Sequence, residues 1–348
     1  MGMPRPAGGA PGKPGLPELE VPAGSSEECP LCEGRISRTL DRVAMTAIWE
    51  ALHERWGAQF SREVRMRHSP VEEVALRECT GCGLLWFAPR VAGDADFYEQ
   101  LMRVAPYNLE CWEFDAVAAR LSGTEAVADF GCGQGAFLRL IEGRASRRVG
   151  VDHNADAIAV LDEAGIEGFV GDFSTFGRRN PAVFDVGCAF QVLEHLPRVS
   201  DLLEPMLQAV RPGGRLYVAV PNADRHGRVG LEPFDCPPHH LSRWRTDQFP
   251  RLAARFGLEL SDVLVEPLPY SAAVALCMRP FDRFAERLAP GVPRAAVRRA
   301  WRHAAIGPQR YRAAVKKGVF RRLGLYGHSI LVELRRPRRQ LAGTCCAA

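Results

Sequence analysis

From Ala126 the chain falls into a regular rhythm of short apolar runs and stretches with helical spacing. Ala126–Phe130 reads as a buried strand, followed by a glycine-rich turn and a helix over Ala136–Glu142. Arg148–Val151 reads as a second strand, Ala155–Ala164 as a helix stopped by Gly165, and Gly168–Val170 as a third strand. Phe184–Phe190 gives a fourth strand, and Asp201–Val210 a helix with Pro205 expected in its first turn, where a missing N–H does no harm. Arg211-Pro212-Gly213-Gly214 is a turn, and Arg215–Val220 a fifth strand. Leu258–Glu266 and Ser329–Leu334 supply a sixth and a seventh. Strands alternating with helices predict an α/β, doubly wound, mostly parallel seven-stranded sheet with helices on both faces.

The segments on either side break this rhythm. Upstream, helical spacing of Ile48, Leu52 and Trp56 is followed by the apolar segment Leu84–Phe87, ended by Pro89. Phe97–Met102 and Cys111–Leu121 then read as helices. Downstream, Phe281–Arg322 reads as a basic helical insert. The predicted organisation is a loose tail over 1–28, a small module over 29–100, a main domain over 101–336 with an insert at about 270–325, and a loose tail over 337–348.

Composition changes this picture little. In 348 residues, 47% are apolar and 25% charged, which suits a soluble globular protein with a substantial core. The formal net charge of +4 comes from 45 basic and 41 acidic residues, too even a balance to point to nucleic acid. The first residues are rich in Pro and Gly and lack the apolar run of a secretory signal. No stretch approaches the ~20 apolar residues that cross a bilayer. The 11 cysteines, an odd number, do not suggest a disulfide scaffold. A reducing, cytoplasmic location is the expectation.

Four of the cysteines have metal-ligand spacing: Cys29 and Cys32 form one Cys-x-x-Cys pair, Cys79 and Cys82 a second. Two such turns supply four thiolates to a tetrahedral Zn²⁺, the usual structural arrangement. The 46 residues between the pairs exceed ribbon spacing and call for an inserted helix. Cys111, Cys132, Cys188, Cys236 and Cys277 lack such spacing and read as small core residues.

The glycine loop is Asp129-Phe130-Gly131-Cys132-Gly133-Gln134-Gly135. Glycine lets the backbone turn sharply and lets a ligand approach without a Cβ in the way. In an open α/β sheet that ligand lies at the carboxyl ends of the strands. Asp152, 21 residues after Gly131, is at the right distance to bind a ribose diol. The glycine spacing, with Ala136 in the sixth place, is also compatible with a dinucleotide. Asp129 argues against pyrophosphate, because it puts an anion where phosphates would lie; it suits a ligand carrying an ammonium group.

Five pieces in order then carry a specific resemblance: Ala128–Gly135; Gly150-Val151-Asp152; Gly171-Asp172-Phe173; Phe184-Asp185 with Gln191-Val192-Leu193-Glu194-His195-Leu196; and Leu207 to Gly214. The stretch from about Ala126 to Leu260 resembles the class I methyltransferases that use S-adenosylmethionine (SAM), especially the broad group of ubiquinone-type, small-molecule and sugar methyltransferases. The resemblance implies that Asp129 and the backbone of Gly131, Gly133 and Gly135 hold the methionine part of SAM, and that Asp152 takes the ribose hydroxyls. It implies that Asp172 accepts from the adenine amino group with the Phe173 backbone nearby, and that Gln191 and Val192 line the cofactor pocket. A turn aspartate at Asp172 and a helix start at Glu194-His195 are the structural alternatives.

The candidate chemistry lies in Asp235-Cys236-Pro237-Pro238-His239-His240, after the fifth strand. Imidazole titrates near neutrality, so His239 or His240 can serve as general base. In the resembling sugar C-methyltransferases a histidine in about this loop is the proposed base, and His240 is the better positional match. That pattern has an acidic residue before the histidine where this chain has His239. Both histidines can instead cap a helix or bind substrate passively. Four-cysteine modules precede the catalytic domain in resembling enzymes and help to bind substrate there.

In the insert, Arg294, Arg298, Arg299, Arg302, Arg310, Arg312, Lys316, Lys317, Arg321 and Arg322 are interleaved with Trp301, Tyr311 and Phe320. This segment reads as an arginine lid over a phosphorylated substrate, a membrane-surface patch, or a solvated face. The expected function is methyl transfer from SAM to a small-molecule acceptor such as a sugar nucleotide or a natural-product intermediate. The competing readings are a methyltransferase acting on RNA or protein, a non-catalytic SAM-binding or zinc-mediated interaction protein, and an NAD-dependent oxidoreductase that shares only the loop geometry. The sequence leaves the oligomeric state open.

Overall fold

The computed structural model describes residues 28–104, 111–225, 232–285, 302 and 306–338, the side chains of 279–285 aside. The tail positions 1–27 and 339–348 lie outside the described residues, as do Arg294, Arg298, Arg299, Trp301, Cys345 and Cys346.

In chain order the elements are β1 (Ser37–Ala44), α1 (Met45–Trp56), α2 (Arg62–Arg67), β2 (Glu73–Cys79), β3 (Leu85–Ala88), α3 (Ala95–Met102) and α4 (Trp112–Ala118). There follow β4 (Ala126–Phe130), α5 (Ala136–Leu140), β5 (Arg147–Asp152), α6 (Ala155–Glu163), β6 (Glu167–Val170), α7 (Phe173–Arg179) and β7 (Phe184–Phe190). Next are α8 (Ser200–Ala209), β8 (Val210–Pro221), β9 (Ser242–Arg243), α9 (Phe249–Arg255), β10 (Glu259–Pro267) and α10 (Tyr270–Ala285). Two short helices, Pro308–Lys316 and Val319–Arg322, lead to β11 (Tyr326–Arg335).

Seven strands form the main sheet in the order β10-β11-β8-β7-β4-β5-β6. The pairs from β8 to β6 are parallel, while β11 runs antiparallel to both β8 and β10. This is the doubly wound sheet expected from the pattern. Val127, Ala128, Asp129 and Phe130 of β4 are all buried, as a central strand covered on both faces requires. The order reverses between β4 and β7, so the chain leaves these neighbours in opposite directions and opens a crevice at their carboxyl ends.

Two details of the main domain differ from the sequence reading. Pro205 lies inside α8, past its first turn. It is buried against α7, where Gly177 leaves no room: a Cβ there would come 2.9 Å from the Pro205 carbonyl oxygen and 3.0 Å from its Cα. The lost backbone hydrogen bond is the cost of this close helix contact. Residues 211–214, read as a turn before a strand, bulge within β8: Phe184 pairs with Val210, and Val186 already pairs with Arg215.

The amino-terminal module departs further. Besides the expected helix it holds strands, and β1-β2-β3-β9 make a four-stranded antiparallel sheet. The buried stripe of α1 is Met45, Ile48, Trp49 and Leu52, while Trp56 is half exposed and meets Phe234 edge-on. Trp49 follows Ile48 directly, which places it on the same face as Met45 and Leu52. The fourth strand, β9, comes from the segment after β8, so this sheet ties the module to the main domain. The cores also merge: Cys29, Leu31, Cys79, Cys82, Leu84 and Trp86 belong to the apolar cluster that includes Phe130, Val218 and Trp244.

In the insert, Tyr311 and Phe320 pack with Leu268, Tyr270 and Ile306, and the Tyr311 hydroxyl donates to the Leu268 carbonyl at 2.7 Å. These aromatic rings are internal packing. Arg302, Arg310, Arg312, Lys316, Lys317, Arg321 and Arg322 point outward as exposed side chains.

The α7–α8 contact yields a prediction. Gly177→Ala forces backbone apart from backbone, and overpacking of this kind costs about 1–3 kcal/mol. Urea unfolding should show a lower midpoint with an unchanged slope. An unchanged midpoint would mean that the two helices separate freely.

Candidate active site

The glycine loop closes around the end of β4 because three of its residues adopt left-handed backbone angles: Gly131 (φ 76°), Gly133 (φ 50°) and Gly135 (φ 74°). At Gly131 a Cβ would come 2.5 Å from Cγ2 of Val192, so this wall of the crevice admits only glycine. At Gly133 nothing lies within 4 Å of a would-be Cβ, so this part of the loop is open to a ligand. Asp152, at the end of β5, accepts from the Gly133 amide at 3.0 Å and from the Asn154 amide at 2.9 Å.

Asp129 lies beneath the loop, only 3% exposed. Its Oδ1 is buried without a hydrogen-bond partner. Burial, with the nearby Asp152 charge adding to it, pushes its carboxyl up to about 8. A buried carboxylate beside a second carboxylate has an electrostatic need for a cation.

The other predicted cofactor residues are already engaged. Asp172 caps α7, accepting from the Thr175 amide at 2.7 Å and from its hydroxyl at 2.8 Å. Phe173 begins that helix and packs edge-on against Phe130. Gln191 turns the chain after β7 with a left-handed φ of 56°, and its side-chain amide donates to Glu113 Oε1 at 3.0 Å. Glu113 was not anticipated from sequence. It is 2% exposed, is raised by burial, and also accepts from the Ser329 hydroxyl.

The histidine segment reaches the same end of the sheet. His239 and His240 are each 7% exposed and stack with ring centroids 4.3 Å apart. A third ring, missed as a candidate, joins them: His195, after β7, lies 4.7 Å from His239 and 4.8 Å from His240. His195 Nδ1 is 2.6 Å from the His239 carbonyl oxygen, and His239 Nδ1 is 2.9 Å from that of Phe234. A carbonyl only accepts, so both Nδ1 atoms carry the proton and both Nε2 atoms present lone pairs. Tyr98, from the amino-terminal module, places its hydroxyl 3.1 Å from His195 Nδ1. Burial and His240 hold His195 down at about 3, and burial lowers both His239 and His240.

Two carboxylates face these rings. Asp235 Oδ1 stands 3.7 Å from His240 Nδ1, and Arg225 binds Asp235 Oδ2 at 2.7 Å. Burial pushes the Asp235 carboxyl up, but His240 and Arg225 outweigh it and hold it at about 2. Glu194 is 0% exposed, and its Oε1 lies 3.8 Å from His195 Nε2 and 3.9 Å from His240 Nε2. Neither Glu194 oxygen has a hydrogen bond, and burial pushes this carboxyl up to about 8.

The four cysteines converge beneath the module's sheet. Cys29 and Cys82 have their sulfurs 3.4 Å apart, Cys32 and Cys79 3.5 Å, and all four lie within 4.8 Å of one another. Each pair sits in a turn closed by a left-handed residue, Glu33 (φ 60°) and Gly83 (φ 73°), whose amides donate to the Cys29 and Cys79 carbonyls. The remaining cysteines of known burial divide: Cys188 and Cys236 are buried, while Cys111, Cys132 and Cys277 are partly exposed. Among the described residues no helix is long and apolar enough to cross a membrane.

Residues 112–263 match the family model described as a methyltransferase domain. The ubiquinone biosynthesis O-methyltransferase of Paraburkholderia phytofirmans is 30% identical over 110 residues, and that of Burkholderia multivorans 29% identical over the same length. Each match covers 30% of this chain and 47% of the relative, so the chain spans about half the length of the curated relatives it matches. A solved SAM-dependent methyltransferase from Archaeoglobus fulgidus is similar at 19% identity, over 64% of this chain and 94% of that one, with a TM-score of 0.42.

The buried Asp129 gives a stability prediction. Its folded-state value, about 8, lies above the ~3.9 of an unfolded aspartate. The folded state therefore holds the proton more tightly, and stability falls as pH rises between the two values. Asp129→Asn removes this penalty. Without added ligand the variant should melt above the parent at pH 9 and close to it at pH 4. A variant that melts lower at both pH values would show that Asp129 has a partner in the fold.

Proposed function

We propose that this chain, whose residues 112–263 match a methyltransferase-domain family model, is a class I SAM-dependent enzyme that transfers a methyl group from SAM to a small-molecule acceptor held over the histidine cluster. The observation that carries the cofactor half of this reading is the unpartnered Asp129 Oδ1 beneath an open glycine loop. A dinucleotide would set pyrophosphate beside that carboxylate, whereas SAM offers it an ammonium group. The glycine backbone of the loop and Asp129 hold the methionine part, and Asp152 takes the ribose hydroxyls. Asp172 lends its exposed carboxylate to the adenine amino group while capping α7, with the Phe173 backbone beside it. Gln191 and Val192 form the facing wall.

When bound, SAM supplies a methyl group already activated by its sulfonium, so the chemistry belongs to the cofactor. The protein's share is to align the acceptor, exclude water and receive a proton. His240 is the proposed base. Asp235 faces its Nδ1 and keeps the imidazole oriented, with His239 stacked behind it. The depressed value of His240 means that it is neutral, and ready to accept, at physiological pH. The low exposure of both rings supports a narrow acceptor over a folded macromolecule. The names of the relatives, O-methyltransferases of ubiquinone biosynthesis, support a hydroxyl on a small molecule.

The four cysteines fit a structural zinc ion. A tetrahedron of thiolates at ~2.3 Å from the metal has edges of ~3.8 Å, close to the two measured sulfur separations. Its role is to hold together the module that supports the histidine segment. A cytoplasmic location is in keeping with reduced cysteines in such a site.

Calorimetry decides the cofactor. The protein should bind SAM, and Asp129→Asn should bind it at least tenfold more weakly, about 1.4 kcal/mol or more. Tighter binding of NAD than of SAM would sink the reading. For the base, His240→Ala should lower kcat by ~10²–10⁴ with SAM affinity unchanged. Lost SAM affinity would instead give the loop a structural role.

A further inference from the structure

The histidine cluster has a property that general-base chemistry does not use. A core histidine ordinarily has both ring nitrogens satisfied, because buried polar atoms without partners are rare and costly. Here His239 Nε2 is buried with no hydrogen-bond partner. Its Nδ1 is occupied by the Phe234 carbonyl, so the lone pair at Nε2 has no protein donor to meet. His195 shares part of the arrangement, with Nδ1 on the His239 carbonyl and Nε2 3.8 Å from Glu194 Oε1, beside the Gln191 backbone. An Nδ1–H bound to a backbone carbonyl is the standard outer support of a metal-binding imidazole, since it fixes the ring and leaves Nε2 as the donor.

His240 completes the set. One ligand nitrogen from each of the three histidines falls within 4.8 Å of the others. Three nitrogens bound at ~2.1 Å to a tetrahedral ion stand ~3.5 Å apart, a modest closure from the observed spacing. Glu194 supplies the charge. It is fully buried, neither oxygen is hydrogen-bonded, and it faces two of the three rings within 3.9 Å. Buried carboxylates that lack hydrogen bonds are found paired or bound to a metal.

We infer that His195, His239 and His240, with Glu194 as counter-charge, bind one divalent transition-metal ion, distinct from any ion held by the four cysteines. Imidazole donors with one carboxylate suit Zn²⁺, Fe²⁺, Co²⁺ or Ni²⁺ rather than Mg²⁺ or Ca²⁺, which prefer all-oxygen sites. The consequence for catalysis rests on the proposed function: in the metal-loaded protein His240 would be a ligand rather than the base, and the ion would supply Lewis-acid activation of an acceptor hydroxyl. In the metal-free protein His240 remains the base. Binding of the ion itself does not depend on that reading.

The test is a Co²⁺ titration of the full-length, metal-stripped protein, followed by absorption and metal analysis. Cobalt in the cysteine site shows an intense thiolate-to-metal charge-transfer band, whereas cobalt on imidazoles shows only ligand-field absorption. We expect about two equivalents per chain, one with and one without the charge-transfer band. His239→Ala should keep the charge-transfer equivalent and lose the other, and Glu194→Gln should weaken the second site at least tenfold. The wild-type titration stands alone if either variant fails to fold. Saturation of the wild type at one thiolate-bound equivalent would overturn the inference, as would two equivalents retained by a folded His239→Ala. SAM calorimetry on the same samples separates the two claims: two metals without SAM binding would defeat the proposed cofactor and leave the metal site standing, and SAM binding with a single metal would do the reverse.

Discussion

Three backbone hydrogen bonds hold the candidate chemistry in place. The Leu241 carbonyl accepts from the Phe87 amide at 2.9 Å and the Pro238 carbonyl from the Gly93 amide at 2.8 Å, while the Leu241 amide donates to the Glu194 carbonyl at 2.8 Å. The first two come from the amino-terminal module and the third from the turn after β7. The segment bearing His239 and His240 is thus clamped between two distant parts of the chain, Phe87–Gly93 and Glu194. A loop after a strand end would ordinarily be mobile; here it leads directly into β9, the edge strand of a four-stranded sheet. Arg243 reinforces the join by lying over the Phe87 ring at 5.0 Å and donating to the Asp235 carbonyl at 3.1 Å. The cysteine turns anchor the same sheet, because Cys79 ends β2 and Cys82 lies just before β3. Removing the module would remove one side of the clamp, and with it the orientation of the imidazoles.

Many of the buried polar groups, Asp129, Asp152, Glu194, Asp235, His239 and His240 among them, lie where this clamp and the glycine loop meet the carboxyl ends of the strands. An unsatisfied buried polar atom costs roughly 1–3 kcal/mol, more for a charged group, against a total stability of roughly 5–15 kcal/mol for an ordinary domain. Asp129, Glu194 and His239 all carry such atoms. The fold tolerates them within a core built otherwise from close-packed Phe, Leu and Val. Departures from polar satisfaction are expected at sites shaped for a ligand, whose binding restores the balance.

The main domain was legible in the sequence because its signals are local. Apolar runs of strand length between glycine turns placed β4 and β7 to the residue, and the other five strands within a few positions. The amino-terminal sheet was not legible. The burial pattern of β1 is almost wholly exposed, so it shows no apolar alternation, and β9 is only two residues long. Strands of that kind are defined by their partners rather than by their own composition. The site divides in the same way. Asp129 and the glycines stand in one motif and Asp152 at the end of the next strand, so these candidates are legible from local spacing. His195 was passed over because Glu194-His195 resembles a helix start, and only the tertiary fold brings it 44 residues along the chain to His239. Glu113 lay in a helix that the pattern treated as a mere connector.

The strand order explains why donor and acceptor chemistry arise from such different kinds of sequence. β4 and β7 are adjacent and parallel, and the winding reverses between them. The glycine loop leaves β4 on one side of the crevice, and the Gln191–His195 turn leaves β7 on the other. The two walls touch at Gly131 and Val192, so the space between them is set by the sheet itself and can be written into short local motifs. Nothing in a parallel sheet supplies a wall above the strand ends. That wall must come from insertions, and in this chain it comes from the segment after β8 held against the cysteine module. The proposed cofactor side therefore rests on short local motifs, while the proposed acceptor side depends on a contact between distant segments, and Tyr98 marks it: a module residue whose hydroxyl lies 3.1 Å from a ring of the histidine cluster. On the proposed function, substrate choice depends on how the module packs as well as on which residues line the crevice.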